Sequence, residues 1–283
     1  MKWYSKYLEV YGKTADRIDP AVFEDIREHM AKLQSDDPIA TVAVRAYNEE
    51  PRLTACLWSL SRLRTTYPIR IIGVDNVSTD RSAEIFEKCG VPCYTETEHS
   101  CGASWDCALR NVRGKYHINI DGDSIYPPLY AQEMIKHLEK EGVVAVDSFW
   151  SYFPDENHSA FSLFFYELIR DIYLWLLHFN RPELAVRGIA FAYDAELGRK
   201  VGIRKDIKRG EDGSLTLGLK QYGKVRFLCS RKARPVTGYG TLGQDKSVTQ
   251  LLATRFRQRI KTIPQLFTRQ EKYQDRDENL VKK

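Results

Sequence analysis

Between residues 39 and 147, short apolar runs alternate with stretches whose apolar residues recur at helical spacing. The runs at 39–44, 69–74, 91–95, 116–120 and 143–147 have the length of strands. Their near-continuous apolarity suits strands covered on both faces. Between them, segments ending near 63, 89, 112 and 139 read as helices, the first entered through Pro51 in its opening turn. Strands separated by helices of about ten residues predict an α/β fold with a mostly parallel sheet flanked by helices on both faces. Ligands of such sheets gather at the carboxyl ends of the strands.

Three stretches lie outside that alternation. Residues 1–38 read as a helical extension: Asp19 caps, Pro20 opens, and Val22, Phe23, Ile26, Met30 and Leu33 form one face before a Ser35-Asp36-Asp37-Pro38 break. Residues 160–179 are strongly apolar and about as long as a membrane span. Glu167, Arg170 and Asp171 stand in the middle, where charge is costly in lipid. The stretch therefore reads as an amphipathic helix, packed on the core or on a second copy as a homodimer, or docked on a membrane surface. Farther on, 214–222 reads as a helix, 225–229 as a strand, and 238–243 as a glycine-rich loop suited to closing over a ligand. A basic helix is expected over 248–263, with a charged tail after it. The expected division is a 1–38 extension, a 39–245 main domain and a 246–283 basic tail.

Charge sharpens this picture. The chain has 283 residues and a net charge of +5, but residues 1–198 carry 21 basic and 30 acidic side chains, whereas 199–283 carry 22 and 8. Such a basic third points to a phosphate-rich partner: a nucleotide, a lipid phosphate or an anionic surface. No nucleic-acid-binding motif accompanies it, so no nucleic-acid partner is expected. Six scattered cysteines form no paired metal or redox motif, which suits reduced thiols. The first nine residues lack the apolar core of a signal peptide, so a cytoplasmic location is expected, peripheral at the inner face of the membrane if the apolar helix docks there.

The candidate chemistry lies at strand ends. Asp121-Gly122-Asp123 closes the run at 116–120, and two carboxylates held close together repel unless a cation sits beside them. Mg²⁺ and Mn²⁺ take such oxygens and share their coordination with phosphates. Asp75 closes a second strand and Asn48 follows a third. An acid at such a place serves either as a turn residue or as an acceptor for a base or ribose. Glu211-Asp212 opens a helix, where carboxylates cap free N–H groups.

Three motifs resemble family 2 glycosyltransferases of the GT-A fold: Val42 to Glu50, then Val74 to Asp80, then Asp121-Gly122-Asp123. They appear in the family's order, and the match extends over roughly 39–230. The resemblance implies a nucleotide-sugar-binding domain that uses Mn²⁺ or Mg²⁺. Asp75 would contact the nucleobase, Asp121 the ribose or the metal, and Asp123 the metal directly, bridging to the diphosphate. Asn48, Glu50, Arg187, Gly188 and Glu211 would line the substrate site, and Asp212 would be the general base. Asn76 stands where relatives usually have a second Asp, Val77 where they have Gly, and Arg187 where they have the first of a Gly-Gly pair. The processive Gln-x-x-Arg-Trp motif is absent, which suits addition of a single sugar.

The implied function is an inverting, metal-dependent transfer from a nucleotide-diphospho-sugar to the hydroxyl of a glycan or lipid-linked acceptor, as in surface polysaccharide synthesis. A polyprenyl-phosphate acceptor is the alternative favoured by the basic third. A non-catalytic sugar-nucleotide-binding subunit is the alternative from another class.

Overall fold

The computed structural model describes residues 2–156, 158–239, 273, 279 and 280. Seven strands form the main sheet: β1 (Ala40–Ala46), β2 (Ile69–Asp75), β3 (Cys93–Thr95), β4 (Tyr116–Asp121), β6 (Val143–Ser148), β8 (Phe191–Asp194) and β9 (Lys224–Leu228). Their order is β3-β2-β1-β4-β8-β6-β9. β8 runs antiparallel to both of its neighbours, and every other pairing is parallel. A second, small sheet has the order β5 (Ser124–Ile125), β10 (Val236–Thr237), β7 (Ser151–Tyr152). The helices are α1 (Pro20–Leu33), α2 (Glu50–Leu60), α3 (Ser82–Lys88), α4 (Cys101–Arg110), α5 (Tyr130–Leu138), α6 (Ala160–Asn180), α7 (Pro182–Ala185), α8 (Ala195–Val201) and α9 (Glu211–Leu219).

The expected α/β architecture is thus present, and the topology says where it opens. From β1 the chain builds outward through β2 to β3, then returns to add β4 on the other side of β1. That reversal leaves a crevice outside the carboxyl ends of β1 and β4, the usual ligand position in open sheets of this kind. Register places Arg45 of β1 directly beside Asp121 of β4. The central strands are buried on both faces, as their unbroken apolar runs require.

The first 38 residues share one core with this sheet. Phe23, Ile26 and Met30 of α1 are buried with Leu57 and Ile71, and Trp58 Nε1 donates to Asp25 Oδ2 at 3.0 Å. Asp19 caps α1 by accepting from the Ala21 N–H at 3.0 Å. The extension also reaches the crevice: the Tyr11 hydroxyl donates to the backbone carbonyl of Asp123 at 3.1 Å. The chain leaving β10 returns to the same place, because β10 pairs with β5, immediately after Asp123. The expected helix at 248–263, most of the 246–283 tail and most of the glycine-rich loop lie outside the described residues.

α6 forms over 160–180, one residue longer than predicted. Ser159 caps it, accepting from the Ser162 N–H at 3.2 Å. Its charges do not face water. Glu167 accepts from Ser151 Oγ at 2.8 Å and from the Tyr152 N–H at 2.7 Å, and Arg234 pairs with both Glu167 and Asp171. Arg170 is 1% exposed, 4.3 Å over the Trp150 ring, and pairs with Asp171. The charges counted against a membrane role therefore line the inner face of the helix.

Candidate active site

The Asp121-Gly122-Asp123 turn is set by close packing. Gly122 donates its N–H to the Arg45 carbonyl at 3.0 Å, and a Cβ at this position would come within 2.9 Å of that oxygen. The room that glycine leaves is taken by the backbone of β1 rather than by a ligand. Asp121 projects from the end of β4 and is ion-paired with Arg45, whose guanidinium lies 4.6 Å over the Trp105 ring. Asp123 accepts from Ser124 Oγ at 2.7 Å through Oδ1 only, which leaves Oδ2 without a protein donor among the described residues.

The arginines beside these carboxylates offset their mutual repulsion only in part. Burial, then the charge of Asp121, pushes the Asp123 carboxyl up from its ordinary value. Burial and Asp123 push Glu49 up to about 7, against the pull of Arg52, which donates to Glu49 Oε2 at 2.5 Å. A group held away from its charged form in this way is relieved by a nearby cation. Among the described residues no three His, Cys, Asp or Glu side chains converge as a ready metal cage. Asp121 and Asp123 thus fit an ion that takes one or two protein carboxylates and completes its shell from substrate phosphate and water, as Mg²⁺ does.

Asp75 closes β2 and is 4% exposed. Its Oδ2 accepts from the Ser78 N–H at 3.2 Å, and its Oδ1 has no partner among the described residues. A buried unpaired acceptor is costly unless a ligand N–H or O–H meets it. Asn76 is used structurally: its N–H donates to Ala46 O, and its side chain donates to Glu98 O at 2.8 Å, tying β2 to β1 and to the segment after β3.

Val77 takes φ +59°, a conformation that β-branched residues strongly avoid. The left-handed region costs an ordinary L-residue about 1–2 kcal/mol, against roughly 0.5–1 kcal/mol for the extra freedom glycine loses on folding. Val77 is exposed, so trimming it sacrifices little packing. Val77→Gly should therefore stabilise the fold by about 1 kcal/mol, which raises Tm by roughly 2–4 °C. A thermal melt showing an unchanged or lower Tm would contradict this account.

Two residues expected to contact substrate are tied to the scaffold. Asn48, at φ +53°, accepts through Oδ1 from the Thr79 N–H at 2.8 Å and donates its own N–H to Ser78 Oγ at 3.0 Å. Glu50 turns away from the crevice, accepting from Ala15 N at 3.0 Å and from Arg81 Nε at 2.9 Å. Asp80 accepts from Ser82 N and also from the N–H of Glu50 at the start of α2, at 2.9 Å each. These bonds lock the loops after β1 and β2 together.

On the other side of the crevice, Asp212 stands in the first turn of α9. It accepts from Gly188 N at 3.1 Å and from Gly213 N at 2.7 Å. Burial pushes its carboxyl up, Arg187 pulls it down, and Asp121 is close enough to push it up further. Glu211 is buried, with one oxygen unpartnered among the described residues; burial raises its carboxyl, and Arg45 opposes the rise. Arg187 bonds the carbonyls of Leu184 and Val186 and is otherwise exposed. Gly188 is hemmed in, since a Cβ there would come within 2.9 Å of Trp105. Residues 188–190 form a short 3-10 turn that leads into β8.

Three features escaped the sequence reading. Arg45 stands within the first motif with no role expected of it, yet it links Asp121 with Trp105. Tyr47, 46% exposed, packs 4.3 Å from the His99 ring beside the end of β2, an aromatic surface no periodicity signals. Asp147 is fully buried at the end of β6, where neither oxygen finds a well-aligned donor among the described residues. Burial drives its carboxyl well up, and the charge of Arg187 and the N–H groups of Ser148 and Arg187 only partly offset that. The signal for Asp147 was the one that found Asp75: an acid closing an apolar strand.

Comparison with known proteins identifies the family and the fold. The model for glycosyl transferase family 2 matches residues 41–195. The chain is 28% identical over 131 residues to an uncharacterized glycosyltransferase, MJ1057 of Methanocaldococcus jannaschii; the match covers 44% of this chain and 45% of that protein, so it spans less than half of that relative's length. Among solved structures, the fold resembles the mannosyltransferase PcManGT from Pyrobaculum calidifontis in complex with GDP-Man and Mn²⁺, with TM-score 0.57 and 18% identity over 84% of this chain and 76% of the other. It also resembles S. aureus TarS 1-349 in complex with UDP-GlcNAc, with TM-score 0.54 and 16% identity over 70% and 58% of the two chains.

Proposed function

Since the chain belongs to glycosyl transferase family 2, we propose that it moves one sugar from a nucleotide-diphospho-sugar to an acceptor hydroxyl with inversion at the anomeric carbon. The observation that carries this reading is the link across the β1/β4 crevice from Asp121 to Asp212: the Arg45 guanidinium paired with Asp121 lies 3.3 Å from where a Cβ of Gly188 would sit, and the Gly188 N–H bonds Asp212. Asp75 receives the donor's base or ribose through its free Oδ1. Asp123, assisted by Asp121, holds Mn²⁺ or Mg²⁺, which when bound neutralises the charge of the departing diphosphate. Asp212 takes the proton from the acceptor hydroxyl as that oxygen bonds to the anomeric carbon, and the bond to the nucleoside diphosphate breaks. A carboxylate raised above its ordinary value is the stronger base for this step. Arg187, Gly188 and Glu211 shape the pocket beside it, while Asn48 and Glu50 act by positioning the loops around the donor.

The acceptor we favour is a glycan or lipid-linked sugar of surface polysaccharide synthesis. A polyprenyl phosphate is the second reading, supported by the apolar face of α6; such an acceptor is already ionised and needs no base.

The proposal is tested by thermal shift with UDP-, GDP- and dTDP-sugars and a CMP-sugar as monophosphate control, with and without Mn²⁺. One diphosphate donor at about a hundredfold its Kd should stabilise the protein by about 2.7 kcal/mol, or roughly 5–10 °C in Tm. Mn²⁺ should be required. No shift with any donor, or equal shifts without the ion, would overturn this reading.

A further inference from the structure

α6 is inverted relative to a helix on a water-facing surface. Its ionisable residues, Glu167, Arg170, Asp171 and His178, are buried or half-buried on the inner side. Every exposed position along it is apolar, Phe161 at 75% and Phe179 at 61% being the most open of its large side chains. Phe164, Phe165, Ile172 and Trp175 continue the same face. Twenty-one residues at about 1.5 Å each make an apolar ridge on the order of 30 Å long. Soluble surfaces rarely expose so continuous an apolar strip without a partner.

A basic strip flanks the ridge. α6 packs along β9, with His178 and Phe227 in ring contact at 5.6 Å. Lys224 and Arg226 of β9, then Arg231 and Lys232, are exposed along this edge. Residues 214–244 contain no Asp or Glu, so the strip has no acidic residue within its own segment. Trp3, 40% exposed, and Lys2 line a groove with Phe164, Leu168 and Arg231 at the start of the ridge. An aromatic-rich apolar face bordered by cations is the pattern of a helix lying in the plane of an anionic bilayer surface. Among the described residues no helix is long and apolar enough to cross a membrane.

We propose that α6 and the β9 edge dock this protein on an anionic lipid surface, α6 lying flat with Phe161 to Phe179 among the acyl chains and Lys224, Arg226, Arg231 and Lys232 at the headgroups. Both ends of α6 connect to the candidate site. β7, just before it, joins through β10 to β5 and so to Asp123. The chain after it leads through α7 to Gly188, which bonds Asp212. Docking thus sets the crevice at a fixed attitude to the surface. The inference does not depend on the transfer reading.

The test is sedimentation of the full chain with vesicles of phosphatidylcholine alone or with an equal part of phosphatidylglycerol. The wild type should partition onto the anionic vesicles, less onto the neutral ones, and less again in about 0.5 M salt, where charge is screened within a few ångströms. A Phe164→Asp/Leu168→Asp/Ile172→Asp variant should lose about tenfold or more of the partition coefficient, because each change removes an exposed apolar side chain that docking would bury in lipid. These positions are exposed, so Tm and Mn²⁺-dependent nucleotide binding should stay at wild-type values. A Lys224→Glu/Arg226→Glu variant should lose the preference for anionic lipid. No vesicle binding by the wild type, or equal binding by the Asp variant, overturns the proposal. So does a wild-type dimer in light scattering that the Asp variant splits, with no affinity for lipid, which would assign the ridge to a second copy. Vesicle binding without any nucleotide binding would uphold docking and overturn the transfer reading.

Discussion

Asp212→Asn should lower kcat by about 10²–10⁴-fold, the usual worth of a positioned general base, and leave nucleotide-sugar affinity within about twofold. The replacement is nearly isosteric and keeps an oxygen for the Gly188 or Gly213 N–H, so the start of α9 should hold its place. What is lost is the ability to take a proton. The wild-type pH profile supplies an independent readout. Burial raises the Asp212 carboxyl and Arg187 only partly counters it. The base must be ionised to work, so kcat should fall about tenfold per pH unit below a pKa that lies above the ordinary carboxylate range. Arg187→Ala removes the stabilising charge and should move that acid limb to higher pH. A Asp212→Asn enzyme retaining kcat within about twofold would show that proton removal lies elsewhere, or that the acceptor is a phosphate.

Asp123→Asn should separate the effects of the ion from those of the fold, because the two go in opposite directions. Changes even to groups that only support a metal ligand cost about 10–100-fold in metal affinity, so losing a ligand should cost at least that in Mn²⁺-dependent nucleotide binding. Calorimetric titration of nucleotide with and without Mn²⁺ measures it. Without metal the variant should be the more stable protein at pH 8. The Asp123 carboxyl is raised in the folded state by burial and by Asp121. A carboxyl raised on folding binds protons more tightly folded than unfolded, so its ionisation weakens the fold as pH rises through the folded value. Removing the charge relieves that penalty, by about 1.4 kcal/mol for each unit the carboxyl is raised. A variant that melts lower than wild type at pH 8 without metal, and binds nucleotide equally with and without Mn²⁺, would identify Asp123 as a turn residue.

Much of the molecule was legible because its signals are local. Apolar runs of strand length, Pro at helix starts and Asp19 before Pro20 each state their element within a few residues, and the corresponding strands and helices form within a few positions of where they were expected. Asp75, Asp121 and Asp123 announced themselves as acids closing apolar strands. Asp147 carries the same signal and was passed over because no familiar motif surrounds it. Val77 shows that a departure from the family pattern has a physical cost: the turn keeps its left-handed backbone although the residue resists it.

What the sequence by itself determined is the alternating strands and helices of the main sheet, the chain positions of the acids and the opposite signs of charge before and after residue 198. Only the tertiary structure decided which of these groups meet. The return of β4 to the free side of β1 brings Arg45 onto Asp121, and the packing of α9 against the 182–190 segment brings Asp212 onto Gly188. Asn48 and Glu50 looked no different from Asp75 along the chain, yet the N-terminal segment and the loop after β2 engage their side chains. In α6 the same apolar count was open to core, partner or lipid. Arg234 and Trp150, distant in sequence from much of that helix, draw its charges inward and so leave its apolar face outside. Periodicity reports which residues share a face; where that face points depends on partners supplied by remote parts of the chain.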